Sequence, residues 1–118
     1  EQDGHEPDSL SRSFPESLNH YYSQKNPSIE DTLKLQIAFY RMCCHTEWKL
    51  KENRNRGDKE QELHELQRLS LDINHMQATG VTSPLVMMGY SLANSCMAYY
   101  YEQMGDKQNM MYHNKQHE

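Results

Sequence analysis

The stretch from residue 76 to residue 101 contains no Asp, Glu, Lys or Arg, and this constrains the fold more than any other feature. Ser83 and Pro84 inside it are a helix-start signal, an N-cap followed by a first-turn proline. A helix without charge on any side is normally buried, so the pattern predicts a central helix. Polar residues such as Asn94 and Ser95 interrupt the run, which favours a core helix over a membrane span.

Two capping signals precede this helix. Ser13 and Glu16 have the spacing of a capping box, in which each side chain accepts from the other residue's backbone N–H, and this predicts a short helix over 14–24. Ser28 begins a longer helix with a broad apolar stripe. That helix is predicted to end just before Gly57, which would adopt the left-handed conformation of a C-terminal cap.

A third helix is predicted to begin after Asp58 and to end at Gly80. Its apolar residues form a single stripe, Leu63, Leu66, Leu69, Ile73 and Met76. The opposite side carries Gln61, Glu65, Arg68 and Asp72. This pattern predicts an outer helix with one face in water. After the break at Gly105, residues 107–116 can form a last short helix.

Composition agrees with an all-α fold class. The 118 residues include 11 Leu and 8 Met but only 2 Val and 3 Ile, and β-branched side chains are the ones that favour strands. We expect a small bundle of antiparallel helical hairpins, with three long helices and short helices at both ends. Residues 1–12 are polar and aperiodic, which predicts a flexible arm before a single helical domain over 13–118.

The charge balance argues against a nucleic-acid partner. Seventeen acidic and 12 basic residues give a net charge of −5, whereas phosphate binding needs a basic field. The basic cluster over residues 49–59 is interleaved with acids, which is typical of a solvated helix end. The mean hydropathy of −1.04 predicts a soluble protein.

The compartment and the oligomeric state stay open. One of the adjacent Cys43 and Cys44 could pair with Cys96 in an oxidising compartment, and three free thiols fit the sequence equally well. The chain starts at Glu1 rather than Met. Export with removal of a leader and simple trimming of the sequence would both produce this start.

Residues 94–116 resemble one helical hairpin of the tetratricopeptide-repeat family. Ala98, Tyr101 and Gly105 stand at the small, aromatic and turn positions of that motif, and Met110 stands where the family prefers Ala. The resemblance implies that Ala98 permits close helix packing and that Gly105 makes the turn. No second copy of the motif occurs at the family's spacing of about 34 residues.

The resemblance also implies a binding face on the inner side of the first helix of this hairpin. That face would carry Met88, Leu92, Ser95, Tyr99 and Glu102. We therefore expect a non-catalytic domain without a cofactor that binds a protein or peptide, as an adaptor, a secretion accessory factor or an immunity-type protein would. The plainer interpretation of the same residues is that they only form core.

A copper-binding role is the alternative. Met110, His113 and His117 have the spacing i, i+3, i+7, which places them on one side of a helix. Thioether and imidazole ligands suit Cu(I). The plainer interpretation is a solvated, frayed C-terminus.

Catalytic motifs are missing from the sequence. The run Cys43-Cys44-His45 cannot converge on one metal ion, because consecutive helical residues point about 100° apart. His64 and Glu65 begin a zinc-protease motif, but Arg68 stands where the second histidine is required. No glycine-rich phosphate loop or nucleophile elbow occurs, so the sequence predicts that the protein is not an enzyme.

Overall fold

The computed structural model describes residues 12–117, which form five α-helices and no strand. The helices are α1 Phe14–Ser23, α2 Ile29–Asn55, α3 Lys59–Thr79, α4 Pro84–Gln103 and α5 Lys107–His117. Three are long and the two terminal ones are short, so the predicted all-α fold class is confirmed. Residues 1–11, which make up most of the predicted arm, and Glu118 lie outside the described residues.

Reciprocal side-chain caps determine where α1 and α2 begin. The Ser13 N–H donates to Glu16 Oε1 at 2.9 Å, and the Glu16 N–H donates to Ser13 Oγ at 3.3 Å. Ser28 and Asp31 form the same pair, with distances of 3.0 and 3.1 Å. These bonds satisfy backbone donors that have no partner within the first turn of a helix. Both predicted helix starts are therefore confirmed.

Helices α2 and α4 share the centre of the fold. Helix α2 packs against α1, α3 and α4, whereas α4 packs mainly against α2 and α5 and touches α3 much less. Met87 and Met88 of α4 are exposed. Helix α4 thus contacts three other helices, as α2 does, while one side of it remains exposed. Its lack of charge reflects burial between two neighbours, and its remaining side carries methionine and tyrosine, which proteins tolerate at the surface.

Aromatic contacts define the packing around the first half of α2. The Phe39 ring is fully buried, with ring centroids 5.5 Å from Phe14 on α1 and 5.2 Å from Tyr90 on α4. Helices that follow one another in the chain run in opposite directions. Helices α2 and α4 consequently run side by side in the same direction.

Close approach of α2 and α4 depends on a glycine. Gly89 lies against the Phe39 ring, and a Cβ atom built on Gly89 would be 2.7 Å from Phe39 Cε2 and 3.5 Å from Cys43 Sγ. The first distance is far shorter than a van der Waals contact. The ring therefore occupies the space that any larger residue at position 89 would require.

The turns that join α2 to α3 and α4 to α5 have the same construction. Gly57 and Gly105 have φ of +71° and +76°, which favours glycine. Each glycine N–H donates to the carbonyl three residues earlier, at 3.0 and 3.1 Å. Asp58 and Asp106 each donate to the carbonyl five residues earlier, at 2.9 and 2.8 Å, and each caps the next helix. The chain from α2 to α5 is thus two hairpins with matching Gly-Asp turns.

Helix α3 buries acidic side chains that were expected to face water. Glu65 is 2% exposed and Asp72 is also buried, so the predicted wet face is wrong at both positions. Glu65 accepts from Arg68 at 2.6 Å, from Gln61 at 3.2 Å and from Lys49 of α2 at 3.3 Å. These partners compensate the charge of a carboxylate that is out of contact with water.

The cysteines carry no disulfide in the structure. Cys43 is buried, and Cys44 and Cys96 are half-buried free thiols. Over residues 12–117, none of the helices combines the length and the apolar character needed to cross a membrane.

Candidate functional site

The predicted binding residues of α4 lie in one row along the helix, with different exposure. Met88 and Tyr99 are 54% and 42% exposed. Leu92 is half-buried against the core and Ser95 is half-buried, while Glu102 is exposed. The plain core interpretation therefore does not describe this row, because three of its five side chains are largely in solvent.

Two of these residues border a groove of about 350 Å³ between α4 and the C-terminal half of α2. Its lining, which we call the α2–α4 groove, consists of Glu47, Leu50, Lys51, Arg54, Ser95, Cys96 and Tyr99. Met88, Leu92 and Glu102 are outside this lining. The floor is apolar because Leu50 is fully buried, and charged and hydroxyl groups surround it.

Arg54 and Tyr99 form the rim at one end of the groove. The guanidinium carbon of Arg54 lies 4.3 Å from the centre of the Tyr99 ring. A cation over an aromatic face at this distance is attracted by the ring quadrupole. The two side chains therefore hold each other in one arrangement and present a combined flat surface to solvent.

Glu62 of α3 holds the other side of the same guanidinium. Its Oε2 atom lies 3.2 Å from both Nε and Nη2 of Arg54, and the Glu62 side chain is buried. Charge-assisted hydrogen bonds of this kind are stronger than neutral ones. Arg54 is thus oriented from behind by a residue that does not line the groove.

The opposite part of the rim is an ion pair on α2. Lys51 Nζ lies 3.7 Å from Glu47 in an i,i+4 pair. Lys51 is exposed and Glu47 is partly exposed, so the pair contributes little to stability and can exchange partners. The rim of the groove consequently offers cations and a carboxylate next to each other.

Cys96 adds an apolar wall and not a nucleophile. Burial raises the pKa of the Cys96 thiol to about 11. Since the thiolate is the reactive form, the side chain stays protonated and unreactive at neutral pH. In the α2–α4 groove Cys96 therefore contributes apolar surface.

Met110 and His113 near the C-terminus are half-buried, whereas a solvated tail would expose them. His113 Nδ1 lies 2.7 Å from Asn94 Oδ1, and its ring stacks on Tyr101 with centroids 5.6 Å apart and planes at 5°. Met110 is half-buried, and the side chain of His117 lies outside the described residues. The described residues contain no group of three or more His, Cys, Asp and Glu side chains that could hold a metal ion.

Three residues of the tetratricopeptide-like motif lie on α4 or at the turn between α4 and α5. Ala98 is buried, Tyr101 is half-buried against α5, and Gly105 makes the turn. Met110 is half-buried on α5. These positions describe a helical hairpin, and the family relationship itself stays a prediction.

Sequence reasoning missed the α2 half of the groove. Lys51 and Arg54 had been interpreted as part of a solvated helix end, and Glu47 lies one turn before them on α2. Their spacing of four and three residues places them on one side of a helix, and this signal was available. The burial of Glu62 behind them had no signal in the local sequence.

Comparisons of this chain with protein-family models, with curated proteins and with solved structures find no match.

Proposed function

We propose that this chain is a non-catalytic helical interaction domain that binds a protein or peptide segment in the α2–α4 groove. The observation that carries the proposal is the Arg54–Tyr99 pair at 4.3 Å, held over an apolar floor. Tyrosine and arginine are the residue types that contribute most to protein interfaces, especially beside a pocket that an apolar side chain can fill.

Preorganisation supports the same proposal. Immobilising a long side chain on binding costs about 0.5–1.5 kcal/mol. Arg54 already has its hydrogen bonds to Glu62 and its contact with Tyr99, so most of this cost is met during folding. A partner segment then meets a surface that needs little rearrangement.

The lining indicates which partner chemistry fits. An apolar side chain can enter between Leu50 and Cys96, and acceptor groups such as carbonyl oxygens can reach Arg54, Lys51 or the Ser95 hydroxyl. Glu47 can receive a donor from the partner. A peptide segment with one apolar side chain and a polar backbone satisfies this pattern.

The repeated Gly-Asp turn is further support. Helices α2 and α4 are the first helices of two matching hairpins, and the α2–α4 groove lies between them. The tetratricopeptide-like resemblance implied a binding face on the inner side of the first helix of the second hairpin, and Ser95 and Tyr99 of that face line the groove. An adaptor, a secretion accessory factor and an immunity-type protein would each use such a groove.

The proposal is tested by affinity capture from a native extract with quantitative mass spectrometry. Wild type, Tyr99→Ala and Tyr22→Ala are compared, since Tyr22 on α1 is likewise an exposed tyrosine outside the groove. We expect one protein whose capture is retained by Tyr22→Ala and weakened about 30-fold by Tyr99→Ala, corresponding to about 2 kcal/mol. If every captured protein is insensitive to Tyr99, the groove is not the binding surface.

Copper binding is a second candidate, favoured by one observation at His113. Asn94 donates its amide Nδ2 to the Tyr90 carbonyl at 2.9 Å, so Asn94 Oδ1 faces His113 and accepts from Nδ1–H. The neutral ring then keeps the Nε2 lone pair, as in histidines that ligate metals. Titration of wild type and His113→Gln with Cu(I) tests this role. Equal Cu(I) affinities of the two proteins would contradict it.

A further inference from the structure

A cavity of about 720 Å³, more than twice the volume of the α2–α4 groove, lies where the start of α1 meets α2 and α3. We call it the α1–α2–α3 cleft. It extends along α2 from Ala38 to Thr46, about 12 Å at the rise of an α-helix. Its apolar surface includes Met42, which is half-buried, and the buried ring of Phe14. The cleft has no role in the binding proposed for the α2–α4 groove.

Cations dominate the polar part of this cleft. Arg12, Arg41 and Arg68 line it together with the exposed His45, against one carboxylate, Asp72. Arg41 and Arg68 are exposed, and Asp72 is buried behind them. Arg68 also binds Glu65 at 2.6 Å, which uses part of its guanidinium. The lining of the cleft therefore has three guanidinium groups for one carboxylate, in a chain whose net charge is −5.

The segment that precedes Arg12 in the chain has the opposite charge. Arg12 is the first described residue and lines the cleft, so residues 1–11 start from its edge. These residues include four carboxylates, Glu1, Asp3, Glu6 and Asp8, and no Lys or Arg. Leu10 adds one apolar side chain next to the attachment point. Eleven residues can extend up to about 36 Å, three times the length of the cleft along α2.

We propose that residues 1–11 bind in the α1–α2–α3 cleft of their own chain, with acidic side chains against Arg41 and Arg68. The cleft is then a binding surface for acidic peptides, and the N-terminal segment of the same chain is the peptide that occupies it. The segment is covalently attached to the cleft through Arg12, and such a short connection gives the segment an effective concentration in the millimolar range at the cleft. This favours the chain's own segment over a free acidic peptide. An acidic segment of a partner would have to displace it.

Arginine labelling of the full chain tests the proposal without any unidentified ligand. Phenylglyoxal modifies accessible guanidinium groups, and mass spectrometry gives the labelling rate at each arginine. Arg56, exposed at the α2–α3 turn and outside the cleft, serves as the internal reference. Wild type is compared with a variant in which Glu1→Gln, Asp3→Asn, Glu6→Gln and Asp8→Asn remove the charge of the segment.

We expect Arg41 and Arg68 to be labelled at least about 3-fold more slowly in wild type than in the neutral variant, after division by the Arg56 rate. The difference should shrink in 1 M salt, where the Debye length falls to about 3 Å. Equal relative rates in the two proteins at low salt would overturn the proposal. Protection that grows with protein concentration would also overturn it, because the segment would then occupy the cleft of a second copy.

Discussion

Arg54 of α2 joins three helices, because it contacts Tyr99 on α4 and Glu62 on α3. Its guanidinium carbon lies 4.3 Å from the Tyr99 ring centre on α4, and its Nε and Nη2 atoms lie 3.2 Å from Glu62 on α3. Arg54 itself belongs to α2. One exposed surface feature therefore depends on the relative positions of α2, α3 and α4, and it exists only when these helices are packed.

The first prediction separates binding from folding within one turn of α4. Tyr99→Ala removes a half-exposed ring from the groove, and we expect weaker partner capture with a nearly unchanged melting temperature. Tyr101→Ala removes the ring that stacks on His113 and should cost about 2 kcal/mol of folding stability. Thermal denaturation of both variants gives the comparison. Equal destabilisation would mean that Tyr99 is a packing residue and not a binding residue.

The second prediction concerns the buried carboxylate of Glu65. Glu65→Ala should lower the free energy of unfolding by about 2–3 kcal/mol, because Lys49 and Arg68 lose the charge that they share. Glu60→Ala, an exposed change on the same helix, should cost under about 0.5 kcal/mol. Urea denaturation at pH 7 measures both. Similar costs for the two variants would contradict a stabilising role for the Glu65 ion pairs.

The same carboxylate should make stability depend on acid. Burial alone would raise the pKa of Glu65, but Arg68, Lys49 and Gln61 together hold it below its ordinary value of 4.5. Its contribution is therefore complete above pH 4.5 and is lost as the pH falls through the folded-state pKa. The difference in stability between wild type and Glu65→Ala should accordingly shrink in acid.

The third prediction concerns His113 at the contact between α4 and α5. Burial lowers the pKa of His113 below its ordinary value of 6.5. The unfolded chain then takes up a proton at higher pH than the folded chain, so stability falls as the pH drops below about 6.5. His113→Gln should remove this part of the pH dependence. Urea midpoints at pH 7.5 and 5.5 test it, with His64→Gln on the exposed side of α3 as the control.

If wild type and His113→Gln lose the same stability between pH 7.5 and 5.5, protonation of His113 does not oppose packing of α5. If His64→Gln alone removes the dependence, the titrating group lies on α3. The comparison is independent of Glu65, which titrates at lower pH and is present in all three proteins.

The fourth prediction tests how closely α2 and α4 approach. Helix propensity alone predicts that Gly89→Ala stabilises the protein by about 1 kcal/mol. The new Cβ would lie 2.7 Å from Phe39 Cε2, and such overpacking costs about 1–3 kcal/mol. We expect a net decrease in melting temperature. An increase would show that the Phe39 ring can move aside, and that the two helices have space between them.

Local chemistry determined the helix boundaries, and these could be predicted. The capping pairs at Ser13 and Ser28 and the glycines after α2 and α3 act within one turn of the chain, so their partners are neighbours in sequence. The row on α4 that includes Ser95 and Tyr99 followed from helical spacing combined with the tetratricopeptide-like resemblance. In the structure Met88, Tyr99 and Glu102 of this row are exposed, and its role in binding stays a prediction.

Packing between distant segments could not be read in the same way. Helix α2 carries many charged residues, yet it contacts three other helices through its broad apolar stripe. Glu65 and Asp72 on α3 have the pattern of surface residues. For Glu65, burial depends on a partner from α2, and no property of α3 alone specifies that partner.

The sequence by itself determined that the chain is helical, where its helices start and stop, and which α4 side chains share one side. Only the tertiary structure decided that Arg54 of α2 would meet Tyr99 and that Glu62 of α3 would orient it. The physical reason is the distance along the chain between the residues that interact. Caps and periodic stripes are satisfied by residues a few positions apart, whereas the groove is formed by side chains from three helices whose relative placement depends on the packing of the whole core.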